Sequence, residues 1–320
     1  MANQGYFAGG GGTTDTTVDK MIFSTEITSS ITSATLSVAG RSYGSTASNN
    51  TGGWGYFAGG QDGDSDPLSS IDKITFSNDT IAAATSGLSL GRWSTAGNSD
   101  NTNGKGYFSG GKSGGGILST VDKIIFSNDS VSAVSSLPAN EDDQTGVSSD
   151  AYGWGYSIGS IYDSVKITYS TDASTTVTTA NLSVSRRSPA GVSDNTNGKG
   201  YLSGGDTGTS GYVTTTDKLT YSNSTSAAQT TANLSQARAY AAGISNNPVG
   251  KGYVSGGETP IVTTTDKITF STDATVALTS GNLSKGRTRL FGLSGNDAGG
   301  GGGVILGGDV SLKFGFAIGV

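Results

Sequence analysis

The feature that most constrains this chain of 320 residues is a short glycine- and aromatic-rich segment that returns about every 50 residues. Its first copy is Gly5-Tyr6-Phe7-Ala8-Gly9-Gly10. Related segments stand at 55–60, 106–111, 155–160, 200–205 and 252–257, with a weaker copy at 303–308. A unit that recurs at a fixed period of roughly 20–50 residues is a supersecondary element that buries its apolar face against its neighbours. The sequence therefore predicts a repeat protein.

Two further elements complete the unit. The first is Asp19-Lys20-Met21-Ile22-Phe23-Ser24, which has copies starting at Asp72, Asp122, Asp217 and Asp266 and an altered copy at Val165-Lys166. The second is Leu-Ser-x-x-Arg, found at 88–92, 182–186, 234–238 and 283–287 and stretched by one residue at 36–41.

Each unit contains four strand candidates, a to d. Strand a follows the arginine, as in 239–245, and strand b is the aromatic segment. Strand c is the Asp-Lys element, whose apolar and polar residues alternate with the period of two that a strand requires. Strand d is an Ala/Thr/Val run such as 274–279. Asn103-Gly104 and Asn197-Gly198 predict type I′ hairpins between a and b. No segment has the capped 3.6-residue stripe of a helix.

Four-stranded units at this period predict an all-β fold, a β-propeller with four antiparallel strands per blade. The order of arginine, small-residue strand, aromatic strand ending in Gly-Gly and Val/Ile-rich strand resembles the kelch repeat over residues 5 to about 294. In kelch-like blades an arginine at this position ties neighbouring blades together, so the resemblance implies that the repeat arginines pair with the aspartates. A ring of arginines that binds anions is the alternative. Kelch blades usually carry a tryptophan after strand c. This chain has Thr, Ala or Val there, so we expect smaller side chains between the blades.

We predict six blades, because the last strand a, after Arg287, can join the N-terminal strands b, c and d and close the ring. The propeller then spans 1–296, and 297–320 form a glycine-rich C-terminal tail or closing strands. The tail resembles a degenerate pair of strands b and c, so seven blades are the alternative. With six, its apolar residues Leu312, Phe314 and Phe316 are expected to dock on a partner.

Composition excludes several classes of function. The 320 residues include no histidine and no cysteine, so a Ser-His-Asp triad, a zinc site or a cysteine nucleophile cannot be built. A glycosidase needs only two carboxylates, but no pair stands out from the repeat background. We expect no enzyme activity, no cofactor and no metal, with a glycosidase as the remaining enzymatic alternative. A net charge of −6 disfavours nucleic acid as a partner. No apolar run is long enough to cross a membrane, and the N-terminus has no signal-peptide pattern.

Two groups of residues are candidate binding positions outside the repeat pattern. Trp54 and Trp154 replace the lysine that precedes strand b in other units, either to stack on sugar rings or to pack between blades. Asp62, Asp64 and Asp66 alternate like the ligands of a calcium loop, but the glycine and glutamate of an EF-hand loop are missing, so a solvated turn is favoured.

The unit that begins at Glu141-Asp142-Asp143 departs most from the others. These acids stand where the repeat has its arginine, and the b–c loop shrinks to 161–164. Loops b–c and d–a emerge on one face of a propeller, and variable loops on a rigid scaffold usually carry binding. That face is the predicted site, with Trp93, Tyr162 and Tyr212 as further candidates. Drift in a tolerant blade is the alternative.

The Gly/Ser/Thr/Asn-rich style of these repeats resembles kelch-like repeats of bacteriophage tail-fibre and other virion proteins, especially those of cyanobacterial phages. The resemblance implies a non-enzymatic virion protein, in a tail fibre, tail tip or capsid surface, that is assembled in the host cytoplasm. Its expected partners are other virion proteins or a host cell-surface glycan. The alternative is a free bacterial binding or scaffolding propeller.

Overall fold

The computed structural model describes residues 3–159, 163–208, 211–258 and 260–295. Within them, six four-stranded antiparallel sheets form the blades of a β-propeller. Each innermost strand contacts the innermost strand of the next blade, and the last contacts the first. The predicted all-β propeller with six blades of four strands is confirmed. The predicted tail, with Leu312, Phe314 and Phe316, lies outside the described residues.

We name the strands of each blade a to d from the channel outward. Blade 1 contains β26 (Phe291–Ser294), β1 (Gln4–Ala8), β2 (Val18–Ile22) and β3 (Ile27–Ile31), and blade 2 contains β4 (Ser45–Asn49), β5 (Trp54–Ala58), β6 (Ile71–Thr75) and β7 (Thr80–Ala83). Blade 3 contains β8 (Ala96–Asp100), β9 (Lys105–Ser109), β12 (Val121–Ile125) and β13 (Ser130–Ala133), with a small hairpin of β10 (Lys112–Ser113) and β11 (Gly116–Ile117) in its b–c loop.

The other three blades follow in chain order. Blade 4 contains β14 (Thr145–Ser149), β15 (Trp154–Ile158), β16 (Val165–Thr168) and β17 (Ala173–Thr176). Blade 5 contains β18 (Ala190–Asp194), β19 (Lys199–Ser203), β20 (Thr216–Thr220) and β21 (Thr225–Ala228), and blade 6 contains β22 (Ala242–Asn246), β23 (Lys251–Ser255), β24 (Thr265–Thr269) and β25 (Ala274–Ala277). The only helices in the described chain are short 3₁₀ segments at Thr178–Ala180, Thr230–Ala232, Asn247–Val249 and Thr279–Gly281. None of these helices is long and apolar enough to span a bilayer.

Blade 1 closes the ring with strands from distant parts of the sequence. Its strand a pairs antiparallel with the N-terminal strand b, with Gly5 opposite Ser294 and Ala8 opposite Phe291. This is the closure expected from the sequence. It leaves no blade with an incomplete sheet, and thereby covers the strand edges that would otherwise pair with other chains.

The core lies between the blades, and its main element is an aromatic pair repeated at all six interfaces. The tyrosine of strand b stacks on the Phe or Tyr that follows strand c of the next blade, with ring centroids 5.1–5.8 Å apart. For example, Tyr201 stacks on Phe270 at 5.1 Å with planes 7° apart. These side chains are smaller than tryptophan but larger than the Thr, Ala or Val expected there, because the aromatic residue that ends the Asp-Lys element points into the interface.

Two local predictions also differ from the structure. Strand a of blade 6 begins at Ala242 and not directly after Arg238, because Tyr240 turns at a positive φ of 57°. The a–b hairpins form, but the loop containing Asn103-Gly104 has four residues and only the glycine has positive φ. Asp100 accepts hydrogen bonds from the backbone and side-chain amides of Asn103, and this contact favours the longer turn over the type I′ turn.

A collar of close backbone contacts narrows the channel, where the strands a meet. Its positions are Thr46, Gly97, Gly146, Gly191, Gly243 and Gly292. A Cβ atom on Gly146 would lie 1.8 Å from the carbonyl oxygen of Gly97, and one on Gly243 would lie 2.1 Å from that of Gly191. Such distances are far inside van der Waals contact, so glycine is required for the inner strands to approach this closely.

Candidate binding site at the channel mouth

The mouth of the channel is built from one residue per blade, at the turn that leads into strand a. The six residues stand two positions after the repeat arginine or, in blade 4, after Glu141, and their φ angles lie between 48° and 62°. They are Arg289, Tyr43, Ser94, Asp143, Ser188 and Tyr240, in order around the ring from blade 1 to blade 6. Positive φ is uncommon for residues other than glycine, so the surrounding structure must impose it.

A closed circle of backbone hydrogen bonds holds these six residues at positive φ. The N–H of each mouth residue donates to the carbonyl oxygen of the mouth residue in the preceding blade, at 2.6–3.2 Å, and the circle closes when Tyr43 donates to Arg289. We call these six residues the mouth ring. Because every member is held from both sides, its side chain is presented over the channel from a fixed backbone.

A depression of ≈ 140 Å³ lies over this ring. Its walls are the mouth ring and residues at or just before the start of the strands a, among them Gln144, Pro189 and Phe291. Concave, largely preformed sites with a few convergent polar groups are the usual form of small-ligand sites. The depression is therefore the candidate binding site of the described chain.

One side of the mouth is cationic and aromatic. The guanidinium carbon of Arg289 lies 4.9 Å from the ring centroid of Tyr43 and 5.5 Å from that of Tyr240. The two tyrosine rings meet edge to face at 5.8 Å. Burial raises the pKa of Tyr43, and Arg289 only partly opposes the rise. Burial and the nearby Asp143 raise the pKa of Tyr240. Both hydroxyls are therefore neutral hydrogen-bond donors at physiological pH.

The opposite side of the mouth is acidic and hydroxyl-bearing. Asp143 stands three blades from Arg289 in the ring, between Ser94 and Ser188. Burial and the neighbouring Asp143 carboxylate raise the pKa of Asp142. A six-fold scaffold thus carries a strongly asymmetric set of side chains, with a cation facing a carboxylate across the channel.

The cationic side continues into the b–c loops of two blades. Arg289 Nη2 lies 3.2 Å from Glu258 Oε2, while Tyr212 donates its hydroxyl to Glu258 Oε1 at 3.1 Å. Burial and this bond raise the pKa of Tyr212. The Arg289 side chain remains 37% exposed, so it is positioned by Glu258 without being covered.

Below the mouth and the collar, the channel is lined by a ring of serines, Ser48, Ser99, Ser148, Ser193, Ser245 and Ser294. Around five of the six steps, the hydroxyl oxygen of one serine accepts the backbone N–H of the serine in the preceding blade, at 2.8–3.1 Å. At the remaining step, Ser48 donates its hydroxyl to the carbonyl oxygen of Ser294. These hydroxyls join the inner strands to one another, so the groups available to a ligand are concentrated at the mouth.

The residues predicted from the unit that begins at Glu141 lie in different environments. Asp143 is a member of the mouth ring, and Asp142 beside it is half-buried. Glu141 is only 2% exposed and accepts a hydrogen bond from Gln144 Nε2 at 3.3 Å, so it is a core residue. Trp93 lies on the same face, where its backbone pairs with Lys112. Tyr162 lies outside the described residues.

The remaining predicted residues lie away from the mouth. Asp62 Oδ1 accepts the backbone N–H groups of Asp64 and Asp66 at 3.0 and 2.9 Å, which forms a turn. No cluster of three or more metal-binding side chains occurs in the described ranges. Trp54 and Trp154 begin strands b on the opposite face, and each is half-buried under a lysine, Lys73 or Lys166.

The repeat arginines pair with aspartates in five blades. Arg41, Arg92, Arg186, Arg238 and Arg287 lie 2.6–3.0 Å from Asp72, Asp122, Asp217, Asp266 and Asp19, respectively. All ten side chains are at most 1% exposed. The arginines therefore connect each d–a linker to strand c of the blade that follows, and none of these five guanidinium groups faces a ligand.

Sequence reasoning missed five of the six mouth residues. The signal that could have found them is positional variability: Arg, Tyr, Ser, Asp, Ser and Tyr occupy one position of an otherwise well-kept unit. No protein-family model and no curated protein matches the chain. The fold is therefore established by the geometry of its blades, as a six-bladed β-propeller.

Proposed function

We propose that this chain is a non-enzymatic binding propeller of a virion, in a tail fibre, tail tip or capsid surface, and that its channel mouth contacts a host glycan or a neighbouring virion protein. The observation that supports binding is the asymmetric mouth ring. Arg289 between two tyrosines faces Asp143 between two serines, on a backbone held by a closed circle of hydrogen bonds.

The chemistry of the mouth suits recognition. Paired tyrosines offer rigid amphipathic surface at a low cost in side-chain entropy, and hydroxyl and charged groups select for polar partners. The described residues around the mouth include no histidine or cysteine, because the chain has none. The titratable groups there are carboxylates, tyrosines and basic side chains, a set that suits hydrogen bonding to a polyol or a protein surface.

The virion assignment is supported by sequence style alone. Glycine-rich kelch-like units resemble those of phage fibre and virion proteins, and a propeller closed within one chain is a stable module for display. The first experiment is quantitative mass spectrometry of phage particles purified on a density gradient from the source of the protein. We expect a constant ratio to the major capsid protein. Absence from particles together with abundance in uninfected cells would overturn the virion assignment and favour a free bacterial propeller.

Binding at the mouth is tested separately. Labelled protein is applied to an array of bacterial surface glycans and to the purified virion proteins, with the variants Asp143→Asn and Tyr240→Asn. Asparagine tolerates positive φ, so both variants keep the turn. We expect each to weaken binding at least about tenfold, the loss of one charge-assisted or buried hydrogen bond. The control Thr51→Asn changes an exposed a–b turn on the opposite face. Equal binding by all four proteins would overturn the mouth as the binding site.

A further inference from the structure

A second feature repeats at the seams between blades, on the face opposite the mouth. At each seam, the tyrosine of strand b and the lysine of strand c approach the positive-φ residue in the c–d turn of the next blade. In five seams that residue is an acid: Asp79, Asp129, Asp172, Asp273 or Glu26. The tyrosine hydroxyl donates to each carboxylate at 2.6–3.0 Å. We call this arrangement the seam latch.

The seam between blades 4 and 5 lacks the carboxylate. Ser224 occupies its position, also at positive φ, and its hydroxyl lies 2.6 Å from that of Tyr156. Lys166 corresponds to the latch lysine, but no carboxylate in the described part of the chain pairs with it. Its Nζ lies instead 4.9 Å from the ring centroid of Trp154. A half-buried cation is thus left without the anion that the same scaffold provides elsewhere.

Aromatic surface adjoins this cation. Tyr152 is 37% exposed, and its ring centroid lies 5.4 Å from that of Trp154 and 6.3 Å from that of Tyr221. Trp154 and Tyr152 therefore form an amphipathic platform with one ring open to solvent. Large aromatic surfaces beside a polar anchor are the usual composition of binding hot spots.

The seam between blades 2 and 3 has the same Trp, Tyr and Lys positions as the seam between blades 4 and 5, and we call it the twin seam. Trp54, Tyr56 and Lys73 take the same positions as Trp154, Tyr156 and Lys166, and Lys73 Nζ lies 4.4 Å from the Trp54 ring. In the twin, however, Asp129 binds Lys73 at 2.9 Å and accepts the Tyr56 hydroxyl at 2.6 Å. Gly52 stands where blade 4 has Tyr152. The two seams differ in the two features that a ligand would use, a free cation and an exposed ring.

We propose that the seam between blades 4 and 5 binds an acidic sugar, such as a uronic acid residue of a polysaccharide. Its carboxylate takes the place of the missing latch acid, bound by Lys166 Nζ and by a hydroxyl hydrogen of Tyr156 or Ser224. The pyranose ring packs its C–H face on Tyr152 and Trp154. This site is separate from the mouth and does not depend on the function proposed above.

The test uses methyl β-D-glucuronide as the probe, with methyl β-D-glucoside as the neutral control, titrated by saturation-transfer NMR. We expect the glucuronide to bind at least about tenfold more tightly than the glucoside, since hydrogen bonds to charged groups carry that difference. Ser224→Asp supplies an internal carboxylate to Lys166. It is expected to weaken glucuronide binding at least about tenfold while the fold is stabilised.

Two further variants complete the design. Lys166→Met removes the cation and is expected to lose binding to the same degree as Ser224→Asp. Asp129→Ser empties the twin latch and is expected to add a second, weaker glucuronide site, because Lys73 loses its acid but no tyrosine replaces Gly52. Thermal unfolding of each variant verifies that it is folded.

Three results would overturn the proposal. One is glucuronide binding by Ser224→Asp that equals that of the wild type, because the lysine would then not be the anchor. Another is equal binding of the glucoside, which would remove the carboxylate from the recognition. The third is binding of N-acetyl-aspartate amide as tight as that of the glucuronide, which would assign the seam to acidic peptides.

Discussion

Blade 4 and the other five blades solve the same packing problem differently. Five blades bury an arginine and an aspartate side by side, at 2.6–3.0 Å. Blade 4 has Glu141 in the position of the arginine and Val165 in that of the aspartate. The next seam, at Ser224, also lacks the acid of its latch. Two kinds of charge pair are thus absent in one sector of the ring.

The difference shows that the buried pair is kept or lost as a unit. A lone buried arginine or aspartate carries a desolvation cost of several kcal/mol that only its partner offsets. Blade 4 replaces both members, with a valine that packs as an apolar side chain and a glutamate that Gln144 contacts. The sector without these pairs also contains Asp143 of the mouth ring, whereas Arg289 and its two tyrosines lie on the opposite side of the channel.

The largest expected effect comes from breaking one pair. Arg186→Met leaves Asp217 fully buried, with a backbone N–H from Ser183 as its remaining contact. We expect a loss of about 3–5 kcal/mol in the free energy of unfolding, measured by urea denaturation. The double variant Arg186→Met/Asp217→Val removes both members of the pair, which blade 4 also lacks, and is expected to lose much less. If the single and double variants are equally destabilised, the loss does not come from leaving Asp217 without its partner.

A smaller effect is expected at the collar, where blade 4 is packed most tightly. A Cβ on Gly146 would meet the Gly97 carbonyl oxygen at 1.8 Å, whereas one on Gly191 would meet its nearest atom at 2.9 Å. Gly146→Ala is therefore expected to cost about 1–3 kcal/mol of unfolding free energy, and Gly191→Ala less. Thermal and urea unfolding of the two variants provide the comparison. The reverse order would mean that blades 3 and 4 move apart to accommodate the added methyl group more easily than blades 4 and 5 do.

The latches at Asp172 and Glu26 predict a dependence of stability on pH, to which the open seam at Ser224 contributes no carboxyl group. Burial acts to raise the pKa of Asp172, but bonds from Lys123 and Tyr107 outweigh it and lower the pKa below 3.8. Burial also acts to raise the pKa of Glu26. Hydrogen bonds from Lys251, Lys267 and Tyr253 outweigh it and lower this pKa below 4.5.

A carboxyl whose pKa is lowered on folding stabilises the protein fully above its unfolded pKa, and this stabilisation is lost as the pH falls through the folded value. The Tm of the wild type is therefore expected to fall on acidification below about pH 4.5. Asp172→Ser, which copies the open seam, is expected to start from a lower Tm at pH 7 and to fall less. A parallel fall in both proteins would show that the latch at Asp172 does not contribute to acid sensitivity.

The smallest effect is expected from closing the open seam. Ser224 has the positive φ that aspartate adopts at the equivalent turns of blades 2, 3, 4 and 6. Ser224→Asp is expected to pair with Lys166 and to stabilise the protein by about 0.5–1 kcal/mol, the range of a partly exposed ion pair. The measurement is the urea midpoint at low and high salt. No gain at low salt would mean that Lys166 is already compensated.

The fold was predictable because its signals are local and repeated. The spacing of the Gly-Gly segments gave the blade period, and Arg287 before a final strand a gave the closure onto Gly5. The blade period and the ring closure each need only a residue type at a fixed offset. The pairing of arginines with aspartates was expected from the resemblance to kelch-like blades.

The candidate site was mostly not predictable, because it depends on geometry between blades. Tyr43 and Arg289 are 246 residues apart, since 289 minus 43 is 246, and only ring closure brings them together. The aromatic stacks were missed for a related reason. Phe270 directly follows strand c of blade 6, but its stacking partner Tyr201 belongs to blade 5, so the stack depends on how two blades pack together.

The closure of blade 1 has a consequence during synthesis. Strands b, c and d of that blade are made first, but their partner at 291–294 is made after every other described strand. At about 5–20 residues per second, the edge of the first strand waits roughly 15–60 s for its partner on a ribosome. The nascent chain therefore carries an unpaired, aromatic strand edge until residues 291–294 are made, so a chaperone that shields residues 4–31 should raise the folding yield more than one that acts later.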